Sequence, residues 1–219
     1  MSMAGKEFKT GIIVPVYDRW EYFRRTLISL NASIIPAGCY FYFVSDAIVD
    51  DPTDRLFHYF NFKHPVKRIY HSKNSGVSLS LRTGYEAAIK DNCNILVNVD
   101  SDVIVKKDWL EKLFSLHGLF PNAVITGFNS NSRDHKIIKK GDGFLIKSSA
   151  GGVNFLISDK IYNRYFYKKL VNFKGWDWAV SRELSSNKIP IIVTTPSVVQ
   201  HIGVHSSLNH YVCDVAEDF

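Results

Sequence analysis

The chain is poor in cysteine, has no long apolar run and carries only a small excess of charge, and each shortage excludes a class of protein. Three scattered cysteines, Cys39, Cys93 and Cys213, form no C-x-x-C pair, which argues against a disulfide framework or a zinc knuckle and indicates buried thiols. No stretch approaches about 18 uninterrupted apolar residues, and the first residues lack the apolar region of a secretion signal. We therefore expect a soluble, cytoplasmic chain with no integral membrane segment.

The composition is that of one folded domain. The 219 residues are 46% hydrophobic and 14% aromatic, enough to bury a substantial core, and we treat residues 1–219 as a single domain. The net charge of +6 includes four lysines around a Gly-Asp-Gly turn of a predicted hairpin: Lys136, Lys139, Lys140 and Lys147. Lysine commonly protects exposed strand edges, so we assign no nucleic-acid partner.

The first half of the chain repeats a strand-helix rhythm. Apolar runs at 11–17, 40–45, 66–70 and 95–99 predict strands, and helical patterns at 20–30, 53–60 and 79–90 separate them. This alternation predicts an α/β fold with a central, mainly parallel mixed sheet flanked by helices. Ligands of such sheets bind beyond the carboxyl ends of the strands, and polar residues follow every one of these four runs.

The second half is less regular. A helix is predicted after Asp108 as its cap, followed by a strand at 123–128, the hairpin at 136–147 and a glycine break at 151–152. A helix from 158 to about 170, another starting near Trp176, and a strand at 189–199 complete the prediction.

The most informative segment is the apolar run at 95–99 that ends in Asp100-Ser101-Asp102. In extended backbone, residues i and i+2 point to the same side, so both carboxylates can face one cation. Acidic residues after a strand are more often solvated turn residues, so this spacing alone does not assign a metal. The surrounding motifs decide the interpretation.

Several ordered motifs resemble those of the inverting glycosyltransferases of family 2, which have the GT-A fold. The matching segments are IVPVYDR at 13–19, SD at 45–46, KNSG at 73–76 with Arg82 after it, VDSD at 99–102, GG at 151–152, GWDW at 175–178 and QHIG at 200–203. The resemblance implies a nucleotide-sugar-binding half at about 11–105 and an acceptor and catalytic half at about 106–207. It also implies a UDP-sugar donor, a glycan or glycoconjugate acceptor, and Mn²⁺ or Mg²⁺ as cofactor.

The resemblance also implies the role of each candidate residue. The general base is Asp177, and the metal ligands are Asp102 and His201, with His205 as the alternative histidine. The donor contacts are Pro15, Tyr17, Arg19, Asp46, Asn74, Gly76, Arg82, Asp100 and Ser101. The acceptor contacts are Gly151, Gly152, Trp176 and Trp178.

Each of these residues also has an ordinary structural explanation. Asp177 is equally suited to cap the helix that follows it, Asp46 begins an acidic loop, and the arginines can pair with structural carboxylates. A glycine pair is most often a plain turn, and a tryptophan is at least as often a core residue. These alternatives stay open at this point.

The chain departs from the family at the acid-base motif, where Trp176-Asp177 replaces the common Glu-Asp. Two alternatives to a glycosyltransferase therefore remain, a nucleotidyltransferase and a catalytically inactive sugar-binding module of the same fold. KNSG at 73–76 is not a P-loop, which argues against the first. A fainter resemblance to the first domain of a chlorovirus glycosyltransferase implies a host-cytoplasmic location and further domains of a longer polypeptide.

Overall fold

The computed structural model describes residues 8–171, 175–204, 214–216 and 218–219. The first half forms alternating strands and helices close to the predicted bounds. They are β1 (Thr10–Val16), α1 (Trp20–Ala32), β2 (Cys39–Ser45), α2 (Asp51–Tyr59), β3 (Val66–Tyr70), α3 (Val77–Lys90) and β4 (Ile95–Val99).

The second half contains shorter and more varied elements. They are β5 (Val103–Val105), α4 (Trp109–Leu119), β6 (Val124–Thr126), β7 (Ile137–Gly141), β8 (Phe144–Lys147), β9 (Asn154–Ser158), α5 (Asp159–Ile161) continuing as a π-helix (Tyr162–Phe166), α6 (Trp176–Ser186), β10 (Ile191–Thr194) and β11 (Val199–His201).

Within the described residues, nine strands form one sheet in the order β3-β2-β1-β4-β9-β6-β10-β8-β7. The strands β3, β2, β1 and β4 are parallel, and β9 then pairs antiparallel with β4. A small separate sheet joins β5 and β11 in antiparallel register. The predicted α/β fold with a central, mainly parallel mixed sheet is confirmed.

The central strands are mainly apolar because helices cover both faces of the sheet. Ile12, Val14 and Val16 of β1 pack into one layer with α1 and α4, and Ile13 packs into the opposite layer with α3 and α6. Alternate side chains of a strand point to opposite faces, so a strand buried on both sides is apolar at most positions.

Two predicted elements were wrong or incomplete, and one strand was missed. The helix predicted from 158 to about 170 is only α5 followed by a π-helix. The strand predicted at 189–199 is two strands, β10 and β11, because Pro196 lies between them and has no N–H for a sheet ladder. The strand β9, which pairs with β4, was not predicted.

The structure also tests the predicted helix cap at Asp108 and the predicted buried thiols. Asp108 occupies the cap position of α4, but its side chain makes no capping hydrogen bond. Cys39 and Cys93 are free and buried as expected, and burial raises the pKa of the Cys39 thiol to about 11. Cys213 lies outside the described residues.

Candidate functional site

Asp46 follows β2 at the carboxyl edge of the sheet and is 4% exposed. Its Oδ1 accepts hydrogen bonds from the backbone N–H of Ser75 at 2.7 Å and from His71 Nδ1 at 3.1 Å. Its Oδ2 accepts from the N–H of Gly76 at 2.7 Å. The carboxylate therefore holds the loop between β3 and α3 in place.

The anion at the start of α3 is the carboxylate of Asp46 itself. Gly76 occupies the N-cap position, and its N–H also lies 3.0 Å from the Oδ1 of Asn74. A helix N-terminus favours negative charge, and Asp46 supplies it from within the protein. The structure thus gives Asp46 a structural role, while its predicted contact with uracil stays a prediction.

Asp102 is the centre of a buried ionic cluster. The Nη2 of Arg19 lies 3.0 Å from its Oδ2, and the Nε2 of His201 lies 3.3 Å from the same oxygen. Burial opposes ionisation of Asp102, but the bonds from His201 and Arg19 outweigh it and lower its pKa below the ordinary value. The cluster thus brings together Arg19 after β1, Asp102 after β4 and His201 at the end of β11.

Arg19 enters this cluster from an unusual backbone conformation. It has φ 66° and ψ 57° and lies at the N-cap of α1. This left-handed region is strained for a residue other than glycine, and such strain is typical of functional sites. Its partners among the described residues include Asp18 and Asp102, and its predicted contact with the donor stays a prediction.

Asp100 differs from its neighbour. Its Oδ1 is buried and has no hydrogen-bond partner among the described residues. Burial, followed by repulsion from Asp102, raises the pKa of Asp100 well above its ordinary value. An unpartnered buried carboxylate oxygen is costly, so it indicates a position that a ligand can satisfy.

Asp102 and His201 bring one oxygen and one nitrogen donor close together. The Nδ1 of His201 lies 3.1 Å from the carbonyl oxygen of Asp214, which holds the ring so that Nε2 faces Asp102. A Cβ on Gly203 would collide with Asp102 and lie 2.9 Å from His201 Nε2, so only glycine keeps this space open. Within the described residues, however, no preformed group of three His, Cys, Asp or Glu side chains could hold a metal.

Asp177 lies in the first turn of α6. Its Oδ2 accepts from the N–H of Gly152 at 3.3 Å, and its Oδ1 accepts from the N–H of Trp178 at 2.9 Å. Burial raises the pKa of Asp177, and these backbone bonds reduce the shift. Its charge interacts with that of Asp100, so the acid-base candidate and the Asp100-Asp102 pair belong to one region.

The two tryptophans beside Asp177 have different environments. Trp176 is 5% exposed and packs edge-on against Phe155, so it is a core residue. A Cβ on Gly152 would lie 2.5 Å from the Trp176 ring, so the close approach of this ring requires a glycine here. The predicted contacts of both residues with the acceptor stay predictions. Trp178 is 39% exposed and keeps its predicted role as a proposal.

The remaining predicted donor residues lie at or near the same edge. Tyr17 follows β1, and Ser101 separates the two aspartates. Pro15 lies two residues beyond Ile13, where the pairing of β1 with β4 ends. Arg82 is paired with Glu86 at 2.9 Å and stacks on Tyr167, the structural alternative that the sequence left open. His205 lies outside the described residues.

Sequence reasoning missed two buried asparagines that join the two halves of the site. Asn98 of β4 donates to the carbonyl oxygen of Gly152 at 2.7 Å and accepts from the Tyr85 hydroxyl at 2.9 Å. Asn154 of β9 donates to the carbonyl oxygen of Asn98 at 2.7 Å. The only sequence signal was an asparagine inside an otherwise apolar run.

It also missed His135, which is 7% exposed and stacks on Trp178 with the ring centroids 5.2 Å apart. Its Nδ1 lies 2.8 Å from Ser149 Oγ, and that hydroxyl donates to the carbonyl oxygen of Asp134 at 3.3 Å. When the hydroxyl donates to Asp134, neutral His135 carries its hydrogen on Nδ1 and its lone pair on Nε2.

Comparison with known proteins agrees with the fold. Residues 11–186 match the sequence model of the family described as glycosyl transferase family 2. This match covers most of the chain, which therefore belongs to that family. Among curated proteins, none matches the chain by sequence, and nothing in these comparisons supports a chlorovirus origin.

Two solved structures illustrate the shared fold. The crystal structure of GalNAc-T7 with UDP, GalNAc and Mn²⁺ is 12% identical, with a TM-score of 0.70, and the match covers 89% of this chain and 44% of that one. S. aureus TarS 1–349 in complex with UDP-GlcNAc is 18% identical, with a TM-score of 0.64 and coverage of 88% and 57%. This chain thus spans about half the length of each.

Proposed function

We propose that this domain is a metal-dependent inverting glycosyltransferase that moves a sugar from a UDP-sugar to a hydroxyl of a glycan acceptor. The proposal rests on one observation: Asp100, Asp102 and His201 lie at the carboxyl edge of the sheet, and Asp177 is held beside them. The N–H of Gly152 binds Asp177, and the carbonyl oxygen of the next residue, Val153, accepts from the N–H of Asp100. Membership in glycosyl transferase family 2 supports it, as do the UDP and UDP-GlcNAc ligands of the two structural neighbours. Location in the cytoplasm and further domains stay predictions.

Asp102 and His201 would hold Mn²⁺ or Mg²⁺, with Asp100 contacting the donor ribose or a metal-bound water. When bound, the cation stabilises the negative charge that develops on the departing diphosphate. An imidazole ligand favours Mn²⁺, whereas carboxylates suit both ions. Arg19 lies against the same oxygen of Asp102 and adds a second positive charge beside the diphosphate.

Asp177 would act as the general base. Inversion requires the acceptor hydroxyl to attack from the face opposite the diphosphate, and a carboxylate on that side takes the hydroxyl proton as the new glycosidic bond forms. The backbone N–H groups of Gly152 and Trp178 hold the carboxylate in one orientation. Burial makes it a stronger base than a solvated aspartate.

A screen of nucleotide sugars with Mn²⁺ and simple glycoside acceptors tests the proposal through release of UDP and formation of a glycoside. In the variant Asp177→Asn we expect unchanged affinity for UDP but transfer reduced by about 10²–10⁴-fold, the usual contribution of general base catalysis. Asp142→Asn, in the exposed turn between β7 and β8, is the matched control. Unchanged turnover in Asp177→Asn would remove this residue from the base role.

The pH dependence gives an independent test of the same residue. A solvated aspartate has a pKa of about 3.9. Because the pKa of Asp177 is raised, kcat/KM should start to fall at a higher pH than this as the solution is acidified. The loss follows from protonation of the base, so circular dichroism should show a folded protein throughout that range. An acid limb that coincides with unfolding would contradict this assignment.

Release of pyrophosphate from a nucleoside triphosphate, without transfer of a sugar, would instead identify a nucleotidyltransferase. Binding of UDP-sugars without hydrolysis or transfer would identify an inactive sugar-binding module, the alternative that the missing glutamate before Asp177 leaves open.

A further inference from the structure

A cavity of about 430 Å³ includes His135 in its lining. Its lining residues are Asn129, Ser130, Asn131, Ser132, Arg133, His135, Lys136, Ile137 and Lys147. Only one of these side chains is apolar, and the others offer amide, hydroxyl, imidazole or cationic groups. These groups can hydrogen-bond a ligand rich in hydroxyl groups.

Two contacts place this cavity next to Asp177. His135 lines the cavity and stacks on Trp178, the residue whose N–H binds the Asp177 carboxylate. A Cβ on Gly151 would lie 4.0 Å from His135 Nε2, whereas the N–H of the next residue, Gly152, binds Asp177. His135 and Asp177 thus lie against consecutive residues of the glycine break.

The cavity is also connected to the proposed metal ligands. The hydroxyl of Ser130 donates to Asp214 Oδ1 at 2.6 Å, and the carbonyl oxygen of Asp214 lies 3.1 Å from His201 Nδ1. Asp214 therefore joins a wall of the cavity to the histidine that faces Asp102.

The state of His135 determines what it can offer a ligand. Its Nδ1–H is used by Ser149, and within the described part of the chain Nε2 has no hydrogen-bond partner. Burial has the largest effect on the pKa of His135 and lowers it. The charge of Asp214 raises this pKa and that of Lys147 lowers it, so the ring is neutral near pH 7. A neutral Nε2 accepts a hydrogen bond, and a sugar hydroxyl can donate one.

We propose that this cavity receives the acceptor saccharide and that His135 positions it, its Nε2 accepting a hydrogen bond from one acceptor hydroxyl while another faces Asp177. The inference rests on the proposed function and adds to it a binding surface and a positioning residue. His135 takes no proton in the reaction. It restricts the orientation of the acceptor. Holding reacting groups in the correct geometry contributes strongly to the rate of a reaction.

Two variants of His135 separate hydrogen bonding from packing. His135→Phe keeps an aromatic ring against Trp178 but removes the acceptor atom, and His135→Gln keeps an acceptor near the Nε2 position without the ring. The measurement uses p-nitrophenyl glycosides as acceptors and compares glycoside-dependent UDP release with release by water alone. Lys139→Ala is the matched control, since this lysine lies on the same hairpin as Lys136 and Lys147 but does not line the cavity.

We expect His135→Phe to raise the acceptor KM or lower glycoside-dependent kcat by about 10-fold or more, the cost of one lost hydrogen bond with its orientation. Hydrolysis of the donor by water should stay within about twofold, because His135 does not contact the donor, and His135→Gln should recover part of the loss. A parallel fall in hydrolysis and transfer in His135→Phe would show a merely structural role and overturn the proposal.

The same assay separates failure of this inference from failure of the proposed function. Donor hydrolysis that no glycoside stimulates would leave a nucleotide-sugar enzyme but overturn the saccharide cavity. Absence of both hydrolysis and transfer with every UDP-sugar would count against the proposed function, and the acceptor cavity would fall with it.

Discussion

The carboxylates at the ends of β2 and β4 lie at the same edge of the sheet but have different surroundings. Asp46 binds two backbone N–H groups and a histidine, all from the loop that leads into α3. Asp102 binds side chains from distant parts of the chain, and Asp100 has a buried oxygen without a partner among the described residues. The first carboxylate builds a loop, whereas the other two carry charge that a ligand can use.

Among the carboxylates at these strand ends, Asp102 should have the largest effect. We expect Asp102→Asn to reduce metal-dependent transfer by about 10²–10³-fold, since loss of a charged ligand removes several kcal/mol of stabilisation from the departing diphosphate. Kinetics across a Mn²⁺ titration measure the loss. The control is Asp51→Asn, because Asp51 is exposed and its ion pair among the described residues is with Arg55 of the same helix. Equal activity of the two variants would contradict the proposed metal site.

Asp46→Asn should destabilise the fold by about 3 kcal/mol, because an amide leaves buried N–H donors without a charged acceptor. Urea unfolding followed by circular dichroism measures this change. If Asp46→Asn lost less stability than one ordinary hydrogen bond provides, the structural role of Asp46 would be contradicted. Asp46 would then resemble Asp102 in serving mainly a ligand.

Asp100→Asn should behave in the opposite way. Replacing a buried, unpartnered carboxylate by a neutral amide should leave the free energy of unfolding unchanged or raise it by about 1 kcal/mol. Affinity for Mn²⁺ with UDP, measured by calorimetry, should nevertheless fall. Destabilisation as large as that of Asp46→Asn would assign Asp100 a structural role.

The smallest effect concerns Asp50 in the same acidic loop as Asp46. Its side chain caps α2 by accepting from the N–H of Thr53 at 2.8 Å. Asp50→Ala should cost about 1 kcal/mol of stability and Asp50→Asn less than about 0.5 kcal/mol, since asparagine caps as well as aspartate. Neither variant should change transfer. A large loss in Asp50→Asn would show that charge, and not capping, matters in this loop.

The first half of the fold was predictable because local pattern and tertiary packing agree there. The strands β3 and β4 have the predicted bounds, and α3 differs only at its start. Those strands are covered on both faces, so the apolar run and the strand coincide. In the second half, β9 is only five residues long and its pairing with β4 depends on a distant segment.

The candidate site was predictable to the same extent. Asp102 and His201 are 99 residues apart, and motif order alone brought them together before the structure placed their side chains 3.3 Å apart. The roles of His135 and Asn98 were not predictable. A histidine beside a lysine-rich hairpin, or an asparagine inside a strand, has no local signal until its partners are known.

The sequence alone determined the alternation of strands and helices, the edge to which the polar residues are delivered and the pair Asp100-Asp102, because each depends on spacing along the backbone. Only the tertiary structure decided that the Asp46 carboxylate is hydrogen-bonded to the loop before α3, that Trp176 is a core residue, and that His135 lies beside the acid-base candidate. These depend on which buried groups find partners across long sequence distances, and burial makes an unpartnered group costly.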